Sequence, residues 1–502
     1  MLVVISDLHL TDGSSGATIS PRAFDIFFDR LREAAYCASW RGGGRYQPLK
    51  RVDLILLGDV LDLIRSTRWS GDGEVRPWSN PHSTEFIDQV TKITSDILRN
   101  NDESLRVLRG LATEGGLTLP PADRNGQPVA GSPGEPVEVR IFYMTGNHDW
   151  MYHLPGSSYD LLRQAVVRHL GLVNPPGEPF PHDPAENDEL QKTMRRHRVF
   201  ARHGDIYDPF NFEGDRDTSS LGDTIVVELL NRFASAVEIE LGDELPPSTL
   251  LGLRELDNVR PLLLVPVWID GLLERTCSFP SQRRQVKQVW DQLAQRFLDL
   301  RVVRERDTWN PADLVDGLQR ALQFSRSLSI GWASSVLSWL SELRVPGEGD
   351  FYRHALAEQE FRNRRAKHIV YGHTHAAETI PLDASFSDGH TLNQIYFNSG
   401  TWRRVHRQTR LAPGEREFIA TEVMTYLSFY QGDERNGHPF ETWTGHLGIP
   451  PSDLSVHRID APRGSHATGQ STSTSGLHRL SPHFTPPSTG GGVVPTRRLG
   501  QL

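Results

Sequence analysis

Five short apolar runs in this chain each end in aspartate, asparagine or histidine. Leu2–Ile5 leads to Asp7 and His9, and Leu54–Leu57 with Gly58 leads to Asp59. Ile141–Thr145 with Gly146 leads to Asn147 and His148, and Val199–Arg202 leads to His203. Ile369–Tyr371 with Gly372 leads to His373 and His375. Runs this short and this apolar read as buried strands. In open α/β sheets, sites are built where the chain leaves the carboxyl ends of the strands. Five such ends can bring Asp7, His9, Asp59, Asn147, His203, His373 and His375 to one place, a donor set for two metal ions.

The residue types fit that chemistry. Hard divalent cations prefer carboxylate oxygens, while imidazole suits manganese, iron, zinc and related metals. A carboxylate can bridge two cations and put negative charge between them. Asp59 is the natural bridge, because it stands alone between paired motifs. Asp-x-His and His-x-His place alternate side chains on one side of an extended segment; both serve one ion, or they reach two neighbours. Two cations about 4 Å apart hold a bridging hydroxide at neutral pH and clamp a phosphoryl oxygen for in-line attack. Each motif alone reads equally well as a turn or a helix cap. Their ordered recurrence after five apolar runs carries the argument.

The chain has 502 residues, 37% of them hydrophobic, ample for a large core. A net charge of -9 argues against non-specific nucleic-acid binding, although local basic patches remain compatible with it. Cys37 and Cys277 are the only cysteines, which excludes a disulfide framework and a cysteine zinc site and fits a reducing compartment. The N-terminus enters a strand at once, without the pattern of a secretory signal. The apolar stretch Leu262–Leu273 contains Pro266 and Asp270 and is too short to span a bilayer. These features predict a soluble cytoplasmic protein, with peripheral membrane contact left open.

Residues 1–205 alternate between strand and helix patterns. Helical spacing covers Pro21–Trp40, Ser83–Leu111 and Tyr159–Leu172; strands are expected at Val52–Leu57 and Arg196–Arg202. Residues 115–136, rich in Gly and Pro, read as a surface loop. From 212 to 365 the pattern becomes amphipathic helix: Leu221–Leu241, Gln282–Arg304, Ala312–Leu322 and Phe351–Ala366, with Trp268, Trp290, Trp309, Trp332 and Trp339. This predicts a mostly helical insertion or cap, set between two parts of one domain, 1–211 and 366–450. The bland alternative is that these helices complete the main core. Strands are expected again at Lys367–Tyr371, Gln394–Asn398 and Phe418–Phe429. From 456 to 502 the chain is poor in large apolar residues and is expected to be disordered.

Asp7-Leu8-His9, Gly58-Asp59-Val60-Leu61-Asp62, Gly146-Asn147-His148-Asp149, His203-Gly204-Asp205 and Gly372-His373-Thr374-His375 resemble the full signature of the calcineurin-like metallophosphoesterases. The resemblance spans about 1–210 and 366–430. It implies a four-layer α/β/β/α sandwich, here with a helical insertion, and a hydrolase cleaving a phosphate ester or pyrophosphate by attack of a metal-held hydroxide. It assigns Asp7, His9, Asp59 and His375 to one ion and Asp59, Asn147, His203 and His373 to the other. Manganese is the expected metal, with iron, zinc or nickel as alternatives. His148 is implied to face the scissile phosphate and to stabilise charge or protonate the leaving oxygen, with Asp149 orienting it. Asp62 and Asp205 are left as supporting residues, not ligands.

Ser6-Asp7-Leu8-His9-Leu10, His203-Gly204-Asp205 and Asn398-Ser399-Gly400-Thr401-Trp402 are similar to the branch containing the UDP-2,3-diacylglucosamine pyrophosphohydrolases. Two features depart from it: His148 stands where those enzymes typically carry Arg, and a long segment separates His203 from His373. Asp149 and Leu63-Ile64 likewise depart from the phosphoprotein phosphatases, which carry Gly-Asn-His-Glu and Asp-Arg-Gly. The expected substrate is a small-molecule or lipid-linked phosphate. The alternatives are a metal-dependent nuclease or cyclic-nucleotide phosphodiesterase, and a non-catalytic scaffold. A nuclease could use Arg283, Arg284, Lys287, Arg296, Arg301, Arg304 and Arg306 as a basic face; the plain reading is a solvated surface mixed with acids. A scaffold is expected to have lost ligands.

Overall fold

The computed structural model describes residues 1–70, 75–306, 315, 318–319, 322, 350–387, 390–409 and 417–446. Trp309, Trp332, Trp339 and the segment 456–502 lie outside the described residues, as does most of Ala312–Leu322.

In chain order the strands are β1 (Leu2–Ile5), β2 (Trp40–Arg41), β3 (Arg45–Tyr46), β4 (Arg51–Leu57), β5 (Leu117–Leu119), β6 (Glu135–Met144) and β7 (Val199–Ala201), then β8 (Val259–Arg260), β9 (His368–Tyr371), β10 (Glu378–Ser387), β11 (His390–Asn398), β12 (Arg404–Gln408), β13 (Phe418–Phe429) and β14 (Phe440–His446). One mixed sheet runs β5-β6-β4-β1-β13-β12-β8, with β14 also paired to β13; a second runs β10-β11-β9-β7. The strands that lead to ligand motifs pair in parallel: β1 with β4, β4 with β6, and β7 with β9. Their carboxyl ends therefore point the same way within each sheet, which is what gathers the motifs. The molecule is mixed α/β.

The strands are apolar on consecutive residues because both faces are covered. Leu2, Val4, Ile55, Leu57, Phe142 and Met144 of the first sheet share one buried cluster with Val199, Ala201, Val370 and Phe397 of the second. The intervening Val3, Ile5, Leu54, Leu56, Ile141 and Tyr143 pack on the other side with Phe24, Phe27, Val90, Leu105 and Val166. Those residues belong to α1 (Pro21–Ala38), α2 (Thr84–Asn100), α3 (Asp102–Ala112) and α4 (Ser157–Leu170). On the far side of the second sheet, Ile369, Tyr371 and Tyr396 pack with Phe351 and Ala355.

Several boundaries differ from the sequence reading. Ser83–Leu111 is two helices. Asn101, at φ -112°, leaves helical geometry, and its amide donates to the carbonyls of Thr11 (2.8 Å) and Ile97 (2.7 Å). The expected loop at 115–136 contains β5, whose Leu117 and Leu119 are buried while Thr118 is exposed, and it pairs with β6. Helix α5 (Asp188–His197) was not foreseen in a polar stretch; Asn187 caps it by accepting from the Leu190 amide at 3.0 Å, and it buries only Leu190, Thr193, Met194 and His197.

In the 212–365 segment, α6 (Leu221–Ile225) passes through a π turn at Val226–Asn231 into α7 (Arg232–Leu241), followed by α8 (Pro247–Leu253), α9 (Val265–Thr276), α10 (Pro280–Asp299) and α11 (Arg301–Arg304). Phe351–Ala366 holds two short helices, α12 (Tyr352–Ala355) and α13 (Gln359–Arg362). Val227, Leu230, Phe233, Trp290 and Phe297 belong to the same apolar cluster as Phe24 and Val90. β8 pairs in parallel with β12, so the segment also contributes a strand to the first sheet. Leu264, Val265, Val267, Trp268 and Ile269 are buried in that cluster, which accounts for the apolar run as core. Arg301 pairs with Glu305, Arg304 with Asp299 and Arg306 with Glu213, so these arginines sit among acids. Among the described residues no helix is long and apolar enough to cross a membrane, and both cysteines are free.

Candidate metal centre

All seven sequence-predicted ligands meet beyond the carboxyl ends of β1, β4, β6, β7 and β9. Asp7 N–H donates to the Gly58 carbonyl (3.1 Å) and His9 N–H to the Asp59 carbonyl (2.8 Å), which locks the first two motifs side by side. The His373 amide donates to the Asp7 carboxylate at 3.1 Å, which ties the last motif to the first. Five of the seven, Asp7, His9, Asp59, His373 and His375, have φ between 43° and 68°. Left-handed backbone is uncommon away from glycine, and such strain gathers at functional sites. Two glycines are required by close approach. A Cβ on Gly146 would stand 2.4 Å from Asp59 Oδ1, and one on Gly372 would stand 2.5 Å from Asp7 Oδ2.

The donors fall into two groups that share Asp59. In the first, His9 Nε2 lies 2.9 Å from His375 Nε2, 3.8 Å from Asp7 Oδ1 and 3.6 Å from Asp59 Oδ2. In the second, His203 Nε2 lies 3.2 Å from Asp59 Oδ2 and 3.2 Å from Asn147 Oδ1, which is 3.0 Å from His373 Nδ1. Donors about 2.1 Å from one ion and subtending roughly a right angle stand about 3 Å apart, so both groups have separations suited to a shared cation. All of these side chains are largely buried.

Further side chains hold the donors. The second nitrogen of His9 is 2.7 Å from Asp62, that of His203 is 3.0 Å from the Leu57 carbonyl, and that of His373 is 2.9 Å from Asp208. Such partners fix which ring nitrogen is left to coordinate. Asp208 was not anticipated; it lies outside the His203-Gly204-Asp205 triplet, and only folding brings it to His373. Asp205 pairs with Arg216 at 3.0 Å.

His148 is within the centre, its Nδ1 2.8 Å from Asp62 Oδ1 and its amide donating to Asp59 Oδ1 at 2.8 Å. The expectation that Asp149 orients His148 is corrected here: Asp62 does so. Asp149 instead accepts from the amides of Val60 (2.9 Å) and Gly146 (2.6 Å) and from the Tyr143 hydroxyl (2.6 Å). It is a brace between two ligand turns, and the bonds it makes go to those turns and to Tyr143.

The acids and imidazoles of the centre shift one another's titration in both directions. Burial pushes the Asp7 carboxyl up, against the pull of His203. Burial also opposes charge on Asp59 and Asp62, but His203 and His148 hold Asp59 well below the usual carboxylate range, and His148 does the same for Asp62. Burial disfavours a charged His148, yet Asp62 and Asp59 raise it to about 10. His203 is raised by Asp59 and Asp7 despite its burial. His375 is held well below its ordinary value by burial and by Arg260. The oxygen and imidazole donors suit divalent ions.

Neither protein-family models nor curated protein sequences give a match to this chain.

Two arginines missed by the sequence reading stand beside His375. Arg260, carried in by β8, places Nη2 3.0 Å from His375 Nδ1. Arg403 is 6% exposed and lines a cavity of about 170 Å³ that also touches His375, Thr401 and Arg407. Its backbone amide donates to Thr401 Oγ1 at 3.2 Å, which holds the residue at the cavity edge. Neither arginine belongs to a ligand motif, and β8 and β12 reach the site only through sheet pairing.

Proposed function

We propose that this chain is a dinuclear-metal hydrolase of the calcineurin-like metallophosphoesterase kind, with that family's α/β/β/α sandwich, acting on a phosphate ester or anhydride. The observation that carries the reading is the convergence of seven nitrogen and oxygen donors from five strand ends into two groups sharing the Asp59 carboxylate. Asp7, His9, Asp59 and His375 would hold one divalent ion, and Asp59, Asn147, His203 and His373 the other, with manganese the metal best suited to this mixed set. Bound there, the pair would neutralise phosphoryl oxygens and lower the pKa of a water to near neutrality.

The chain's own residues do the rest. In hydrolysis, water oxygen bonds to phosphorus, the ester or anhydride P–O bond breaks, and the departing oxygen takes up a proton. His148 supplies that proton: Asp62 occupies Nδ1, which leaves Nε2 to donate, and the Asp62 carboxylate favours the protonated ring. Arg403, which lines the cavity beside His375, would offer a guanidinium to an anionic substrate. The decisive experiment measures metal content and aryl phosphate hydrolysis before and after chelation. Two ions per chain and metal-dependent turnover support the reading; undiminished turnover by metal-free protein sinks it.

A further inference from the structure

A second group of metal-ligating side chains lies apart from the seven donors. His153 Nδ1 is 2.6 Å from Asp217 Oδ1, and the same oxygen is 3.8 Å from His182 Nε2. The two imidazole rings stand with centroids 4.3 Å apart. All three donor atoms lie within 4.8 Å of one another. His153 follows the Asn147-His148-Asp149 turn, Asp217 follows the His203-Gly204-Asp205 turn, and His182 precedes α5, so three separate segments converge.

His182 Nε2 distinguishes this cluster from an ordinary His–Asp pair. The residue is 2% exposed, and the atom has no hydrogen-bond partner. Leaving a buried polar atom unsatisfied is costly, so such an atom calls for a partner. The other ring nitrogen, Nδ1, is 2.8 Å from Thr145 Oγ1, whose hydroxyl has the Pro181 carbonyl 3.4 Å away. Where that hydroxyl donates onward, Nδ1 carries the proton and Nε2 keeps its lone pair on the side of Asp217. This is the arrangement in which a neighbouring oxygen fixes the tautomer of a metal-ligating histidine. Burial holds the imidazolium of His182 down at about 4, so the lone pair is available near neutral pH. Glu186 Oε2 lies 3.7 Å from His153 Nε2 and accepts from the His182 amide at 2.8 Å, which adds negative charge beside the cluster. His153 and Asp217 are 24% and 37% exposed, so an ion can enter and a water can complete its coordination.

We propose that His153, His182 and Asp217 form a further divalent-cation site, of a kind that takes zinc. Two imidazoles and one carboxylate with an open fourth position form a zinc donor set. The ion pins together the segments that follow two ligand turns and, through His182 and Thr145, the residue that opens the Gly146-Asn147 turn. Its role is to stiffen the rim of the metal centre. The proposal does not depend on phosphoesterase activity, because its readout is zinc bound, not turnover.

The test removes the central donors and counts what remains. The central-site variant is the full chain carrying Asp59→Asn and His203→Ala, with His9→Ala added so that Asp7 and His375 alone cannot hold an ion. It is loaded with Zn²⁺, dialysed and assayed for zinc by atomic emission, with circular dichroism checking the fold. One retained equivalent is expected, and adding His182→Ala should remove it. Zinc should raise the melting temperature of the central-site variant, and His153→Gln should abolish that rise. A folded central-site variant that retains no zinc, or one whose zinc survives His182→Ala, overturns the proposal. If the central-site variant does not fold, His182→Ala in the otherwise native chain decides it: loss of one equivalent relative to the native chain supports the site, and an unchanged count refutes it.

Discussion

At the scale of single residues, three carboxylates of the centre have separate tasks. Asp59 faces both donor groups, 3.6 Å from His9 Nε2 and 3.2 Å from His203 Nε2. Asp59→Asn should therefore lower metal content and turnover more than alanine at any one histidine ligand. Normal stoichiometry and rate in that variant would show that the bridge is misassigned. Asp62 touches the outward nitrogens of His9 and His148. Asp62→Asn should lower turnover by roughly 10²–10⁴-fold, as loss of a positioned acid–base group does, and should weaken metal binding by only about 10–100-fold. His148→Ala should spare metal binding and lose most on substrates with poor leaving groups; an equal loss on nitrophenyl and alkyl phosphates would mean that His148 stabilises charge and donates no proton. Asp149 braces the Val60 and Gly146 turns, so Asp149→Asn should show up first as lower thermal stability and weaker metal retention. The ligands could be read from sequence because each ends an apolar run. Asp208, Arg260 and Arg403 could not, because no local pattern marks a residue whose importance arises from what folds against it.

Among the elements, β9 shows how one strand links site and stability. It delivers His373 and His375 at its end, while at its start His368 is buried against Phe397, Phe429 and Phe440. Burial, then Lys367 and Arg198, hold the His368 imidazolium at about 3 instead of its ordinary 6.5. Between those values the unfolded chain binds a proton that the folded chain refuses. Stability contributed by the neutral ring is thus complete above pH 6.5 and declines as pH falls toward 3, by up to about 1.4 kcal/mol per unit. His197 is also held at about 3, chiefly by burial, and adds a second such slope. In urea titrations of chelated protein, His368→Leu should flatten the acid limb of stability against pH by the share of one group. An identical slope in wild type and variant would show that His368 is not a buried neutral histidine. Strand existence was legible wherever both faces were covered and the run was continuous. The break at Asn101 was not, since its cause is the Thr11 carbonyl from a distant loop. Nor was β5, whose two buried leucines were hidden in a Gly- and Pro-rich stretch.

For the whole molecule, the helices of 221–304 share the apolar cluster beneath the first sheet with α1–α4, and β8 extends that sheet. Replacing 212–365 by a short linker should therefore uncover His406 and Phe418, which Trp268 covers, together with the rest of that side of the cluster, and give a protein that aggregates or melts far below wild type. A shortened chain with native melting temperature would show that the two parts are independent. Metal should also stabilise the native fold by linkage, about 2.7 kcal/mol for each site at a hundredfold excess over its dissociation constant. A melting temperature indifferent to chelation would count against a preformed centre. The sequence alone determined the strand-end positions, the seven donors and the helical character of the middle segment. Each of these follows from local pattern: apolar runs, ligand chemistry and 3.6-residue spacing. Tertiary structure decided which carboxylate holds His148, which arginines enter the site, how the middle helices join the core, and that His153, His182 and Asp217 meet. Those depend on sheet pairing and layer packing, which bring together residues with no spacing in common along the chain.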